Sequence, residues 1–214
     1  MTTLQSLAVI VFISVLILLA RRLQWSGFIQ DRTQQHLVFG STAALFFLWI
    51  FRVGIFSGLD VHFLWLTALT LTLGFHWAAL AGSAALLGVT LVGKETWEML
   101  GINGLLGVLA PVSVTYLIYM LSFHKLPRNF FVYVFVCAFF PGAAMIAMKM
   151  TLLGSYYTLD GLYDWDTVVD NYLLLIPLLL FPEGLLNGMT MTLLIVYRPH
   201  WVCTFHDKFY LDKP

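Results

Sequence analysis

The sequence predicts an all-α, polytopic transmembrane bundle, and two observations carry this prediction. First, 60% of the residues are hydrophobic and only 10% are charged, whereas a soluble domain has roughly 25% charged residues. Second, apolar runs of about 20 residues, the length that crosses a hydrocarbon core of about 30 Å, recur along the chain. A β-barrel is disfavoured because these runs do not alternate between apolar and polar residues.

Seven helical spans fit the hydropathy of the chain. The third and fourth come from one long apolar stretch, which we divide at the turn-forming segment 74–77. We expect a single membrane domain over residues 1–214 and a short cytoplasmic tail over 198–214. The predicted spans are 4–20, 37–56, 61–73, 77–92, 103–122, 129–153 and 171–197.

The placement of charge predicts an outer amino terminus and a cytoplasmic carboxyl terminus, and we expect the chain to lie in the plasma membrane. Cytoplasmic loops of membrane proteins accumulate Lys and Arg. With seven spans, the loop over 160–170 lies outside and contains four Asp residues but no Lys or Arg, and Lys94 lies outside beside acidic residues. The basic residues on the inner side are then Arg21, Arg22, Arg32, Lys125, Arg128, Arg198, Lys208 and Lys213.

Glu183 is the most unusual side chain, because a carboxylate inside the hydrocarbon costs about 2.5–3.5 kcal/mol and usually faces a cavity or a partner. It follows Pro182 in the last span, and Asn187, four residues later, projects from the same helix face. The functional interpretation is a polar contact in a transport path or ligand site. The structural alternative is a bond to Arg52 or Lys149.

His62 and Asp60 are candidate metal ligands at the outer start of the predicted third helix. An imidazole nitrogen and a carboxylate oxygen suit nickel, cobalt or zinc. The alternative for His62 is a hydrogen-bonded residue at the membrane interface.

Other polar side chains give weaker evidence of a functional site. His76 is interpreted as an interfacial ring beside Trp77. His200, Cys203 and His206 place three metal-capable side chains in the tail, but their spacing matches no standard zinc motif, so a surface or docking segment is favoured.

Several classes of function are disfavoured by missing motifs. The sequence has no phosphate-binding loop of the Gly-x-x-x-x-Gly-Lys-Ser/Thr type, so ATP-driven activity would need another subunit. It has no His-Glu-x-x-His or Gly-x-Ser-x-Gly motif, which disfavours an intramembrane protease or lipase. We expect a protein that is not an enzyme and that has no covalently bound cofactor. A formal net charge of zero gives no reason to expect nucleic acid as a partner.

Four short motifs, in order over about residues 36–197, resemble the CbiM family, the cobalt and nickel substrate-capture permeases of energy-coupling-factor (ECF) ABC transporters. They are Gly58–His62, Gly74–Trp77, Gly101-Ile102-Asn103 and Glu183-Gly184. The resemblance implies that His62 is a metal ligand, that Asn103 lies near the site, and that a coupling membrane protein and ATPase subunits are partners.

The amino terminus departs from that family. Members that capture nickel or cobalt begin Met-His-Ile-Pro-Asp-Gly and use the terminal amine and the second-residue histidine as ligands. This chain begins Met1-Thr2-Thr3-Leu4-Gln5 and has no histidine before His36. The amino-terminal half of the family's site therefore has no counterpart in this chain. Two alternatives follow for the substrate, namely another metal or a solute that is not a metal.

We therefore expect a membrane-embedded uptake component for a transition metal, with nickel or cobalt as substrate. A second hypothesis is a non-transporting subunit that anchors or assembles a larger membrane enzyme. A third and weaker one is a membrane enzyme that uses Glu183 and His76.

Overall fold

The computed structural model describes residues 2–206, and this part of the chain is helical. The helices are α1 Thr3–Arg21, α2 Trp25–Gln30, α3 Arg32–Ile50, α4 Leu66–Leu73, α5 Phe75–Leu91, α6 Trp97–Lys125, α7 Phe130–Leu159 and α8 Trp165–Tyr197. A short 3₁₀ turn, Pro199–Trp201, follows α8. An isolated antiparallel bridge joins Val53 to Val61 in the loop after α3. The prediction of an all-α fold is confirmed for these residues.

Four helices within residues 2–206, namely α1, α6, α7 and α8, are long and apolar enough to cross a membrane, and α5 is a shorter apolar helix of 17 residues. The predicted span 4–20 matches α1 closely. The predicted spans 103–122 and 171–197 lie inside longer helices, and 129–153 does so apart from its first residue, because hydropathy detects only the apolar part of a helix whose polar ends leave the lipid.

The helix termini gather at two opposite ends of the bundle. We call one the vestibule end, where residues from four segments surround a single cavity, among them Thr2, Asp60, Lys94 and Asp160. At the other, the tail end, the ring of Trp77 stacks on Phe28 with centroids 4.2 Å apart. Nearby, the backbone N–H of Cys203 donates to the carbonyl of Thr72 at 2.9 Å.

The segment between α3 and α5 is irregular in its first part and helical in its second part. The predicted span 61–73 is wrong in its first part, because 61–65 is not helical and α4 begins only at Leu66. The predicted span 37–56 likewise ends early, at Ile50. All eight residues of α4 are buried, and its length of about 12 Å is less than half of a hydrocarbon core.

The break predicted over 74–77 is present but is one residue long. Gly74 ends α4 with φ of 76°, and α5 begins at the next residue. A positive φ costs glycine little because it has no Cβ. The chain can therefore reverse at the tail end without a loop.

Glycines bring helices into close contact at two places. A Cβ added at Gly101 would lie 2.4 Å from the backbone nitrogen of Val9, and one added at Gly184 would lie 2.9 Å from the carbonyl oxygen of Phe139. In lipid, such close approach increases the dispersion contact between helices.

Two helices contain a widened π-helical stretch ahead of a proline. Residues Asn103–Leu109 of α6 precede Pro111, and Tyr133–Phe139 of α7 precede Pro141. Proline lacks an N–H and disrupts the hydrogen bonds of the preceding turn, and π-helical turns often occur at functional sites. The first of these stretches begins at Asn103, one of the predicted site residues.

Candidate functional site

The vestibule end contains a cavity of about 480 Å³, which we call the vestibule. Its wall includes Thr2 and Gln5, which belong to the amino-terminal segment. Four carboxylates and one ammonium group line it, those of Asp60, Glu95, Glu98, Asp160 and Lys94. A cavity lined mainly by one sign of charge raises the local concentration of the opposite ion. The vestibule therefore favours cations.

A smaller cavity of about 20 Å³, the inner cavity, shares part of its wall with the vestibule. A space of this size holds about one water molecule or one small ion. Its polar lining consists of Arg52, Asp60, His62, Glu95, Asn103 and Lys149. Three predicted site residues, His62, Asp60 and Asn103, thus lie on one cavity.

Arg52 organises the carboxylates of the inner cavity. Its Nη1 lies 2.8 Å from Oδ2 of Asp60 and also contacts the carboxylate of Glu95. Its Nε donates to the carbonyl of Trp49 at 3.0 Å, and Nδ2 of Asn103 donates to the other oxygen of Glu95 at 2.9 Å. Pairing and hydrogen bonding offset part of the desolvation cost of these partly buried charges.

His62 is buried, and both of its ring nitrogens have partners. Nε2 lies 2.7 Å from Nζ of Lys149, and Nδ1 lies 3.0 Å from the carbonyl oxygen of Phe63. An ammonium group has donors only, so we assign Nε2 as the acceptor and place the ring proton on Nδ1, which donates to Phe63. The prediction that His62 lies at the start of a helix is wrong, because His62 lies in the irregular segment before α4.

The charges around the inner cavity balance. Arg52 and Lys149 each contribute a positive charge, and Asp60 and Glu95 each contribute a negative one. Lys149 interacts electrostatically with both carboxylates. Because α7 continues to Leu159, Lys149 lies deeper in the bundle than the predicted span 129–153 places it.

Glu183 holds the irregular segment in place. Its carboxylate accepts the backbone N–H groups of Leu64 at 2.9 Å and Trp65 at 2.7 Å. Asn187 donates to that carboxylate at 2.8 Å, and its own oxygen accepts the N–H of Ala68 at 2.8 Å. The prediction that Glu183 and Asn187 share a face is confirmed, and together they cap the free N–H groups at the start of α4.

The hydrogen bonds of Glu183 do not go to Arg52 or Lys149, the partners considered from the sequence. The N–H groups of an interrupted backbone need acceptors because no water reaches them in lipid. The third hypothesis, in which Glu183 and His76 act together, also finds no support. Glu183 lies at the start of α4 and His76 beyond its end, about 12 Å away along the helix.

The tail caps the other end of α4. The hydroxyl of Thr204 donates to the carbonyl of Leu71 at 2.7 Å and lies 2.6 Å from the hydroxyl of Tyr133. Within residues 2–206, no group of three or more His, Cys, Asp or Glu side chains is placed to hold a metal ion, and this applies both to His200, Cys203 and His206 and to His62, Asp60 and Glu95 of the inner cavity. Thr204 was not foreseen from the sequence.

Lys149 and Glu95 were not foreseen as parts of the site either. Lys149 is a charged residue within an apolar span, which is the signal that also singled out Glu183. Glu95 offered only its position beside a span, and that signal does not separate it from the other carboxylates of the outer loops.

One comparison with known proteins identifies a family. Residues 2–201 match the family described as the cobalt uptake substrate-specific transmembrane region, CbiM. Neither the curated proteins nor the solved structures give a significant match. The match covers most of the chain and includes the vestibule and both ends of α4. The chain therefore belongs to the CbiM family and is a multi-pass membrane component of cobalt uptake.

Proposed function

We propose that this protein is the subunit that captures a cobalt or nickel ion from outside the cell for an ECF-type transporter. In this proposal the residues 1–214 act as one membrane domain. A coupling membrane protein and ATPase subunits, which are separate chains, drive the release of the ion to the cytoplasm. The observation that carries the proposal is an acidic vestibule that adjoins an ion-sized cavity lined by His62.

The two cavities support successive steps of capture. The vestibule attracts a hydrated cation through its excess of carboxylates, an effect that salt weakens. The inner cavity, at about 20 Å³, has no room for a hydration shell. An ion that enters it must exchange water for protein ligands, and imidazole and carboxylate suit a transition metal.

His62, Asp60 and Asn103 are the site residues of this proposal. His62 supplies an imidazole nitrogen and Asp60 a carboxylate, while Asn103 fixes the orientation of Glu95 through its 2.9 Å hydrogen bond. Glu183 and Asn187 have a positioning role. By capping α4 they hold the irregular segment that carries His62.

The direction of capture depends on the threading of the chain. We propose seven crossings with the vestibule end outside, counting the segment from Arg52 to Leu73 as one crossing made half by irregular chain and half by α4. Basic residues support this direction, since Arg21, Arg22, Arg32, Lys125, Arg128 and Arg198 flank helix termini that lie away from the vestibule. Lys208 and Lys213 lie outside the described residues.

Calorimetry on the purified chain in nanodiscs tests the capture site. We expect Co²⁺ and Ni²⁺ to bind, and we expect His62→Ala to weaken binding by about tenfold or more. His124→Ala is the matched control, because His124 is an exposed histidine on the last turn of α6, away from the vestibule. If His62→Ala binds both metals as tightly as the parent, this site assignment is wrong.

Co-purification tests the transporter assignment separately. We expect a tagged chain, extracted in mild detergent, to bring down an ATPase and a second membrane protein. Recovery of a redox or biosynthetic complex in their place would favour the anchoring role.

A further inference from the structure

The most informative contact in the molecule joins Lys149 to His62. Nζ of Lys149 lies 2.7 Å from Nε2 of His62, and both side chains are buried. The other ring nitrogen is engaged by the carbonyl of Phe63. Nε2 is therefore the only ring atom through which His62 can bind a metal, and a protein cation already occupies its lone pair.

A metal ion and the Lys149 ammonium cannot use Nε2 together. A transition metal bonds an imidazole nitrogen at about 2.0–2.1 Å, along the single lone pair that Lys149 now uses. At a distance of 2.7 Å from the same atom, the ammonium nitrogen would overlap the ion. Binding at His62 therefore requires the side chain of Lys149 to move away.

The charge balance also requires Lys149 to move away when a metal binds. With Lys149 in place, the two cations and two carboxylates of the inner cavity cancel. A divalent ion added to this set would leave two positive charges uncompensated in a buried site, which is costly. With the ammonium moved away from the cavity, the remaining groups carry a net negative charge that favours the ion.

We propose that Lys149 is a tethered competitor for the metal position on His62, and that this competition lowers the affinity of the capture site for any ion that binds at Nε2. The proposal rests on the proposed function. Cobalt and nickel bond imidazole well enough to displace the ammonium, whereas Ca²⁺ and Mg²⁺ prefer oxygen ligands and gain little from Nε2. When the metal leaves, Lys149 returns to His62 and opposes rebinding.

Removal of the ammonium group tests the proposal, and we expect a gain in affinity. Lys149→Leu and Lys149→Gln in nanodiscs should bind Co²⁺ about tenfold more tightly than the parent, or better. Lys125→Leu is the matched control, because it removes an exposed ammonium from the last turn of α6, away from the vestibule, and should change affinity by less than about threefold.

The double variant His62→Ala/Lys149→Leu separates the two proposals. If the gain in Lys149→Leu depends on His62, the double variant loses it, as the competition requires. Unchanged or weaker Co²⁺ binding in both Lys149 variants, with His62→Ala still impaired, would overturn the competition and leave the capture site standing. Equal binding by His62→Ala and the parent would overturn the capture site, and the competition with it.

Discussion

Lys149 donates to Nε2 of His62 across 2.7 Å in the buried wall of the inner cavity. The two residues are 87 positions apart in the sequence, so only the tertiary fold brings them together. His62 reaches this point because the chain from Arg52 to Trp65 enters the bundle without forming a helix. The predictions below address what holds that segment and how the bundle is oriented.

Glu183→Gln should destabilise the bundle. The carboxylate accepts two backbone N–H groups, and a glutamine amide offers one oxygen and turns an NH₂ donor toward the other N–H. An unsatisfied buried donor costs about 1–3 kcal/mol. Thermal unfolding in detergent should therefore begin at a lower temperature than in the parent.

Asp166→Asn provides the control for Glu183→Gln, because Asp166 is an exposed carboxylate in the first turn of α8. It should unfold with the parent. Equal unfolding temperatures for Glu183→Gln and the parent would show that the carboxylate does not hold the segment.

Thr204→Val should loosen the tail end of α4. Valine keeps the shape of threonine but removes the hydroxyl that serves Leu71 and Tyr133, so the free energy of unfolding should fall by about 1–3 kcal/mol. Thr192→Val removes a hydroxyl bonded only within its own helix, to Gly188 at 2.8 Å, and should have a smaller effect. Equal losses in the two variants would contradict the capping role of the tail.

Gly58→Ala should be more harmful than Gly93→Ala. Both glycines have positive φ, 83° and 78°, so both variants bear a backbone strain of about 1–2 kcal/mol. A Cβ at Gly58 would lie 2.2 Å from the hydroxyl oxygen of Tyr157, whereas a Cβ at Gly93 meets nothing within 4 Å. Chemical denaturation should separate the two variants, and equal midpoints would mean that the Tyr157 contact is not retained.

Labelling of thiols tests the threading of the chain. Cys203 should be protected from a membrane-impermeant maleimide on intact cells and should react in opened membranes. A cysteine introduced as Asp166→Cys in a Cys203→Ser background should react on intact cells. If both positions react on intact cells, the proposed threading is wrong. Cys137 is buried and should stay unlabelled in either preparation.

The same reaction should depend on pH. Burial raises the pKa of the Cys203 thiol. The residue as a whole is exposed, but its sulfur faces Gly74. A Cβ added at Gly74 would lie 3.3 Å from that sulfur. The thiolate is the reactive form, so labelling in opened membranes should speed up about tenfold per pH unit and continue to rise beyond about pH 9. A rate that levels off near neutral pH would contradict this burial.

Much of this architecture follows from the sequence, because hydropathy and charge are local properties. The break at Gly74 and the shared face of Glu183 and Asn187 are predicted from neighbours in the chain. The irregular segment before Leu66 is not, since Phe63–Leu73 is as apolar as a helical span. That segment departs from helix because of a carboxylate 119 positions away, which takes the N–H of Leu64.

The candidate site, like the fold, is only partly predicted from the sequence. His62 and Asp60 are predicted from their ligand chemistry, and Asn103 from a short motif that resembles the family. The contact with Lys149 joins two spans whose rotation about their axes hydropathy does not specify. Lys149 is visible in the sequence as a charge in an apolar run, but its partner is not.

The position of a bound ion tests the central claim most directly. Crystals of the parent protein, loaded with Co²⁺ and measured at the cobalt absorption edge, should show one anomalous peak at about 2.1 Å from Nε2 of His62. In the same map the side chain of Lys149 should have left that nitrogen. A cobalt peak elsewhere, with Lys149 still 2.7 Å from His62, would contradict the account.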